Sequence, residues 1–347
     1  MPRNACAIVV WVALGAILVP AQDSPRTALD KVDAKKIAVT LRPKGTPAEV
    51  LAIVGNRDGR YDSLAFRSDS GQMAVGGPDG MVRLWDLATL RSTGVIAHKD
   101  VVCLVFSQSG KTLIGGDALG NLKLWPINAG KLSSGTTLAA HKGKPIWAIA
   151  LSSDGNTLIT AGGDASIKIW DISKATPVLK AMLTGHEERV RGMTLSRDGT
   201  LLATTSDRDK TVRLWDLGDN PKERAKLTPK SAALSVAISP DGKLLAAGCA
   251  DGVVRSWSIG EKVKVEDDIR GGQGAVASLA FSPDGKHLLG LAKWDAMEDR
   301  AFLWDLKGDI RFQANYGKHI EAVAPDPTWR HLVVAHETSL YVIRLPE

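Results

Sequence analysis

The feature that most constrains this chain is a tryptophan that returns six times at near-constant spacing. It stands in Met81-Val82-Arg83-Leu84-Trp85-Asp86, Asn121-Leu122-Lys123-Leu124-Trp125-Pro126, Ser166-Ile167-Lys168-Ile169-Trp170-Asp171 and Thr211-Val212-Arg213-Leu214-Trp215-Asp216. Weaker copies follow at Val253-Val254-Arg255-Ser256-Trp257-Ser258 and Arg300-Ala301-Phe302-Leu303-Trp304-Asp305. The intervals are 40, 45, 45, 42 and 47 residues, the length of a four-stranded sheet unit and not of a helical repeat.

Each copy also holds a tight-turn signal between two apolar runs, as a hairpin requires. The turns are Ser68-Asp69-Ser70, Ser107-Gln108-Ser109-Gly110, Ser152-Ser153-Asp154-Gly155, Ser196-Arg197-Asp198-Gly199, Ser239-Pro240-Asp241-Gly242 and Ser282-Pro283-Asp284-Gly285. Asp caps such a turn through its carboxylate, and Gly supplies the positive φ. The flanking runs, such as Val276 to Phe281 and His287 to Leu291, are short and β-rich, so they read as strands.

With periodic tryptophans and matching turns, residues 48–347 resemble the WD-repeat (WD-40 repeat) proteins. The resemblance implies an all-β, seven-bladed β-propeller of four-stranded antiparallel blades. The seventh blade is degenerate, with strands expected at Ile320 to Ala324, His331 to Glu337 and Ser339 to Leu345. Its fourth strand is expected from the amino-terminal run Glu49 to Val54, because an unclosed ring leaves an open sheet edge. The family pattern also implies a hydrogen-bonded set of His, Ser or Thr, Asp and Trp inside a blade. Two copies match it: His141, Thr160, Asp164 and Trp170, then His186, Thr205, Asp209 and Trp215. Elsewhere the set is broken: the first copy keeps Asp79 but has Val75 at the hydroxyl position, the second keeps His98 with Gly115, and the fifth keeps Asp251 with Ala247.

Composition matters most at the amino terminus. Arg3, the fifteen-residue apolar run Ala5 to Val19, and Val19-Pro20-Ala21 have the layout of a secretory signal, so residues 1–21 are expected to be a signal peptide. The alternative is a retained anchor, although the run is short of the roughly 20 residues that cross a bilayer. On this reading the protein is exported, to a periplasm, a cell surface or a secreted fraction, and has no membrane span after signal removal. Residues 22–47 are charged and hold Pro25, Pro43, Gly45 and Pro47, which suits a linker with, at most, a short strand at Ile37 to Leu41. Beyond the signal only Cys103 and Cys249 remain, too few for a disulfide framework. The net charge of +6 is spread along the chain, so no nucleic-acid partner is expected.

The sequence carries no recognisable catalytic constellation. His, Ser and Asp near one another suggest a triad, but the resemblance puts the His and Asp inside the sheet stack, and no Gly-x-Ser-x-Gly elbow exists. Gly110-Lys111-Thr112 ends like a phosphate loop, yet Val105 stands where that motif needs glycine. His186-Glu187-Glu188-Arg189-Val190 lacks the second histidine of a zinc-protease helix, and no Cys-x-x-Cys occurs. One Asp per turn is what turn chemistry already requires, so no metal or other cofactor is expected.

The resemblance implies that partners dock on the face made by loops entering the innermost strands and by the turns between second and third strands. The residue one step inside each innermost strand then forms a ring: Asp62, Val102, Trp147, Arg191, Leu234, Ala277 and Glu321. Trp147 and Arg191 belong to the residue types enriched in binding hot spots, although Trp147 also suits the rim of the core. The insertion Ala292 to Asp299 adds Trp294, which either meets a partner or packs on its own blade, and Trp329 is expected on the opposite face. The expected function is a non-enzymatic interaction scaffold, a single propeller within a complex, with Asp62, Trp147, Arg191, Leu234, Trp294 and Glu321 toward a protein or peptide. The alternative is a small-ligand binder or enzyme at the central channel mouth, where Asp62, Arg191 and Glu321 supply converging charges.

Overall fold

The computed structural model describes residues 50–55, 63–69, 71–77, 79–89, 91–174, 176–270, 274–293, 299–315, 320–336 and 339–345. The expected signal peptide and linker, residues 1–47, lie outside them. Seven antiparallel sheets follow one another along the chain. Blade 1 consists of Ser63–Phe66, Gln72–Gly76, Met81–Asp86 and Arg91–Ala97, from inside to outside. Blade 2 has Val101–Phe106, Thr112–Asp117, Asn121–Asn128 and Thr136–Ala139, with the short strand Lys131–Leu132 beside its third strand. Blade 3 is Ile146–Leu151, Thr157–Gly162, Ile167–Asp171 and Val178–Leu183, and blade 4 is Gly192–Leu195, Leu201–Ser206, Thr211–Asp216 and Lys222–Leu227. Blade 5 has Ala233–Ile238, Leu244–Cys249 and Val253–Ser258, with an outer strand split into Lys264–Val265 and Ile269–Arg270. Blade 6 is Ala275–Phe281, His287–Lys293, Arg300–Asp305 and Ile310–Asn315.

Blade 7 takes three strands from the carboxyl-terminal end, Ile320–Pro325, His331–His336 and Ser339–Arg344, and its fourth from Val50–Gly55. That outer strand runs antiparallel to Ser339–Arg344, with Val54 opposite Leu340 and Ala52 opposite Val342. The amino-terminal run therefore closes the ring, as the edge argument requires.

Side-chain alternation explains why the sheets stack. In blade 3, Ile149 and Leu151 point to one face and pack with Cys103, Val105 and Ile114 of blade 2. Ala148 and Ala150 point to the other face and pack with Met193, Leu195 and Leu202 of blade 4. Seven such cores, each shared by two neighbours, run round the molecule. The last two join Leu289 and Leu303 to Val334 and Ile343, and Met73 and Trp85 to Val333 and Val342. In blades 3 to 6 the inner hairpin turns on the Ser-x-Asp-Gly device: in blade 3, Ser152 Oγ accepts from Thr157 N at 2.9 Å, Asp154 Oδ1 accepts from Asn156 N at 3.0 Å, and Gly155 takes φ 73°. Blade 7 puts Trp329 at the glycine position with φ 58°, a conformation unusual for a bulky residue. Its indole packs against the core between blades 6 and 7.

Candidate functional site

Two kinds of polar cluster sit in this frame, one inside the blades and one on the rim. In blade 3, Trp170 Nε1 donates to Thr160 Oγ1 at 2.9 Å, His141 Nε2 lies 2.8 Å from the same hydroxyl, and His141 Nδ1 lies 2.9 Å from Asp164. Donor balance fixes the protons. The Asp164 carboxylate can only accept, so His141 Nδ1–H donates to it; in that neutral tautomer Nε2 accepts from the Thr160 O–H, while the Thr160 oxygen accepts from the indole. Burial pushes the Asp164 pKa up, but hydrogen bonds from His141 and Ser166 outweigh it and hold the value at about 2.

Blade 4 repeats the chain with one change. His186 Nε2 and Trp215 Nε1 meet at Thr204 Oγ1, at 2.8 and 2.9 Å, and His186 Nδ1 meets Asp209 at 2.7 Å. The expected member Thr205 is not the hydroxyl in this set. The turn Ser206 to Lys210 is one residue longer than its blade 3 counterpart, so counting four back from the Asp stops one residue short of Thr204. Thr205 Oγ1 is buried with no hydrogen-bond partner. Both imidazoles are enclosed, His141 fully, which leaves no path for a substrate to reach them. In blades 1, 2 and 6 the tryptophan N–H groups of Trp85, Trp125 and Trp304 have no hydrogen-bond partner among the described residues. In blades 2 and 6 the ring instead lies over a glycine: a Cβ on Gly115 or Gly290 would stand 2.7 Å from Trp125 Cζ3 or 2.5 Å from Trp304 Cζ3. His98 packs edge-on against Trp125, with centroids 5.2 Å apart.

The rim is built by β-bulges. Register slips by one residue between Val101 and Cys103, Ile146 and Ala148, Ala233 and Ser235, Val276 and Ser278, and Ile320 and Ala322. The extra residues are Val102, Trp147, Leu234, Ala277 and Glu321, the positions singled out from the repeat. A bulge leaves one residue unpaired and re-aims its side chain. Val102, Trp147 and Leu234 are half-buried, while Ala277 is buried. Arg191 occupies the equivalent step in blade 4, just before Gly192, and its N–H donates to Thr205 O at 2.8 Å. For Glu321 only the backbone is described, and Asp62 and Trp294 lie outside the described residues.

Blades 3 and 4 bring the strongest group together. Arg189 grips Asp207 with two donors, Nε at 2.9 Å and Nη2 at 2.5 Å, and its Cζ sits 5.5 Å from the Trp147 ring centroid. Arg191 reaches the same carboxylate only through Nη1 at 3.3 Å. Burial raises the Asp207 pKa, but the two guanidiniums outweigh it and keep the carboxyl below its ordinary range. Trp147 also packs on the core between blades 2 and 3, so it serves fold and surface together. Arg189 and Asp207 escaped the sequence reading. The available signal was spacing: residues 189 and 191 share one side of an extended chain, and Asp207 stands in the turn of the same face.

A family model described as WD domain, G-beta repeat matches residues 49–86 and 89–126, and each matched stretch ends on a repeat from the opening pattern. The chain is a seven-bladed β-propeller with WD repeats over residues 49–86 and 89–126. A second model, Domain of unknown function (DUF7165), matches residues 133–299 of the propeller, a span that includes Trp147, Arg189, Arg191 and Asp207. Over 152 residues the propeller is 33% identical to eukaryotic translation initiation factor 3 subunit I of Aspergillus fumigatus, covering 43% of this chain and 42% of that protein. It is 27% identical over 234 residues to autophagy-related protein 16 of Arabidopsis thaliana, covering 67% of this chain and 36% of that one. With periodic tryptophan protein 2 of Arabidopsis thaliana the figures are 28% over 284 residues, 75% and 31%. The matches thus span less than half the length of these curated relatives.

Translation initiation and autophagy take place inside eukaryotic cells. These likenesses overturn the export expected from residues 1–21, so a periplasmic, cell-surface or secreted location does not stand. An apolar run behind a single cation is a compositional signal, and composition alone does not determine a compartment.

Proposed function

We propose that this propeller is a non-enzymatic platform that binds a protein partner through the rim of blades 3 and 4. The observation that carries the reading is the joint placement of Trp147, Arg189, Arg191 and Asp207. A bulge turns an aromatic side chain toward the rim beside two arginines, the residue types in which binding energy concentrates. The likeness to WD-repeat proteins, which generally serve as interaction scaffolds, supports it. Leu234, half-buried on the bulge of blade 5, extends the contact round the ring, and Glu321 is its acidic member on blade 7.

The test is affinity capture from an extract of the source cells with the wild-type chain and a Trp147→Ala, Arg191→Ala double variant of matched melting temperature. Cross-linking then maps the captured protein on the propeller. Recovery by the wild type alone, with cross-links to blades 3 and 4, is expected. Equal recovery by both forms, or cross-links confined to the Ser-x-Asp-Gly face, contradicts the reading.

A further inference from the structure

We infer that Arg191 is a carboxylate-recognition residue, and that the partner segment read by this rim presents an aspartate or glutamate side chain to it. This rests on the platform reading and names the chemistry of its partner. Three observations carry it. First, Arg191 is nine-tenths buried, and its Nη2 has no hydrogen-bond partner among the described residues. A guanidinium offers five donors in a fixed fork, and a buried donor left unmade is costly, so an acceptor arriving with a partner is gained at full value. Second, the one carboxylate that Arg191 pairs with among the described residues is committed elsewhere. Asp207 is held by Arg189 at 2.9 and 2.5 Å and reached by Arg191 at 3.3 Å, a long contact for a charged pair. Third, the neighbouring rim position is aromatic: Trp147 is half-buried with the Arg189 guanidinium over its ring, so an aromatic edge and a second cation stand beside Arg191 for the residues flanking the acidic one.

The same geometry makes Asp207 an internal competitor. A partner carboxylate that takes the Arg191 fork draws it away from Asp207, which remains satisfied by Arg189. Removing the charge of Asp207 therefore tightens binding, a sign that a purely structural ion pair does not produce.

The probe is a displayed library of random twelve-residue peptides with blocked carboxyl termini, selected on the full chain and measured by fluorescence anisotropy. Selected peptides are expected to be enriched in Asp or Glu. Arg191→Gln and a Glu→Gln change in the peptide should each weaken binding by about tenfold or more. Arg191→Lys retains part of the affinity, and Asp207→Asn tightens binding several-fold. Thermal melts of each variant establish that it is folded. If Trp147→Ala abolishes binding but the peptides lack acidic residues and Arg191→Gln changes nothing, the carboxylate assignment falls while the platform reading survives. Binding indifferent to both Trp147→Ala and Arg191→Gln, or no selection at all, overturns both. Looser binding on Asp207→Asn in a folded variant also overturns the assignment, as does binding that requires a free carboxyl terminus in place of an acidic side chain.

Discussion

Thr204 and Thr205 are adjacent and fully buried on one strand, yet only Thr204 joins an indole to an imidazole. Thr204→Val leaves Trp215 N–H and His186 Nε2 without a partner and should cost about 1–3 kcal/mol. Thr205→Val removes a hydroxyl that bonds nothing and should be neutral or slightly stabilising. Urea midpoints of the two variants decide the point, and the reverse order would contradict the assigned chain. The same groups set an acid limb. Burial lowers the His186 pKa below 6.5 against the opposing pull of Asp209, so as pH falls the unfolded chain takes a proton that the native one refuses, and stability drops. Asp164 acts in the same direction lower down, where stability present above the ordinary carboxyl value of 3.8 is lost as pH falls toward 2. Wild-type urea midpoints should therefore fall between pH 7 and 5. A His186→Gln variant, less stable at neutral pH, should show a flatter dependence over that window.

Within a blade, the hydroxyl position decides how the tryptophan lies. Where it is Thr160 or Thr204 the indole N–H is bonded, and where it is Gly115 or Gly290 the ring occupies the space of the missing side chain. Gly115→Ala and Gly290→Ala should each destabilise the protein by about 1–3 kcal/mol, since rigid, fully buried Trp125 and Trp304 must shift to admit a Cβ. Unchanged melting temperatures for both would show that the rings give way freely. These blades are thus packed differently from blades 3 and 4, where the sequence suggested only a lost bond. Strands and turns were legible because their signals are local: alternation of period two and a Ser-x-Asp-Gly turn of fixed length. Thr204 was not, because one extra residue in the turn before Asp209 shifts the count without disturbing the apolar pattern. The rim positions could be numbered from the repeat, but their bulges could not, since an unpaired residue is defined by the partner strand. Asp207 was hidden for a related reason: its role comes from Arg189 and Arg191, sixteen or more residues away and across a hairpin.

For the whole molecule, the repeat showed six units, the resemblance to WD-repeat proteins implied a seventh, and each four-stranded unit, having two apolar faces, must find two neighbours. A ring satisfies all of them only if the last blade meets the first, and the backbone ladder from Val50–Gly55 to Ser339–Arg344 makes that join. The cellular compartment was not legible in this way, because no packing constraint ties an apolar leader to a propeller. Closure has a measurable consequence. Without its outer strand, Ser339–Arg344 becomes an open edge, and the chain segment leading into blade 1 is no longer anchored to blade 7. The cores that blade 7 shares with blades 6 and 1 then loosen together, so a chain lacking residues 22–56 should lose its cooperative transition or melt far lower in calorimetry. A peptide spanning residues 48–57, added in excess, should raise the melting temperature of that truncated chain by mass action, because it binds only the closed ring. An unchanged melting temperature after truncation would show that the ring is held by its shared cores alone. Loss of stability without rescue by the peptide would place the effect in the deleted residues outside the strand.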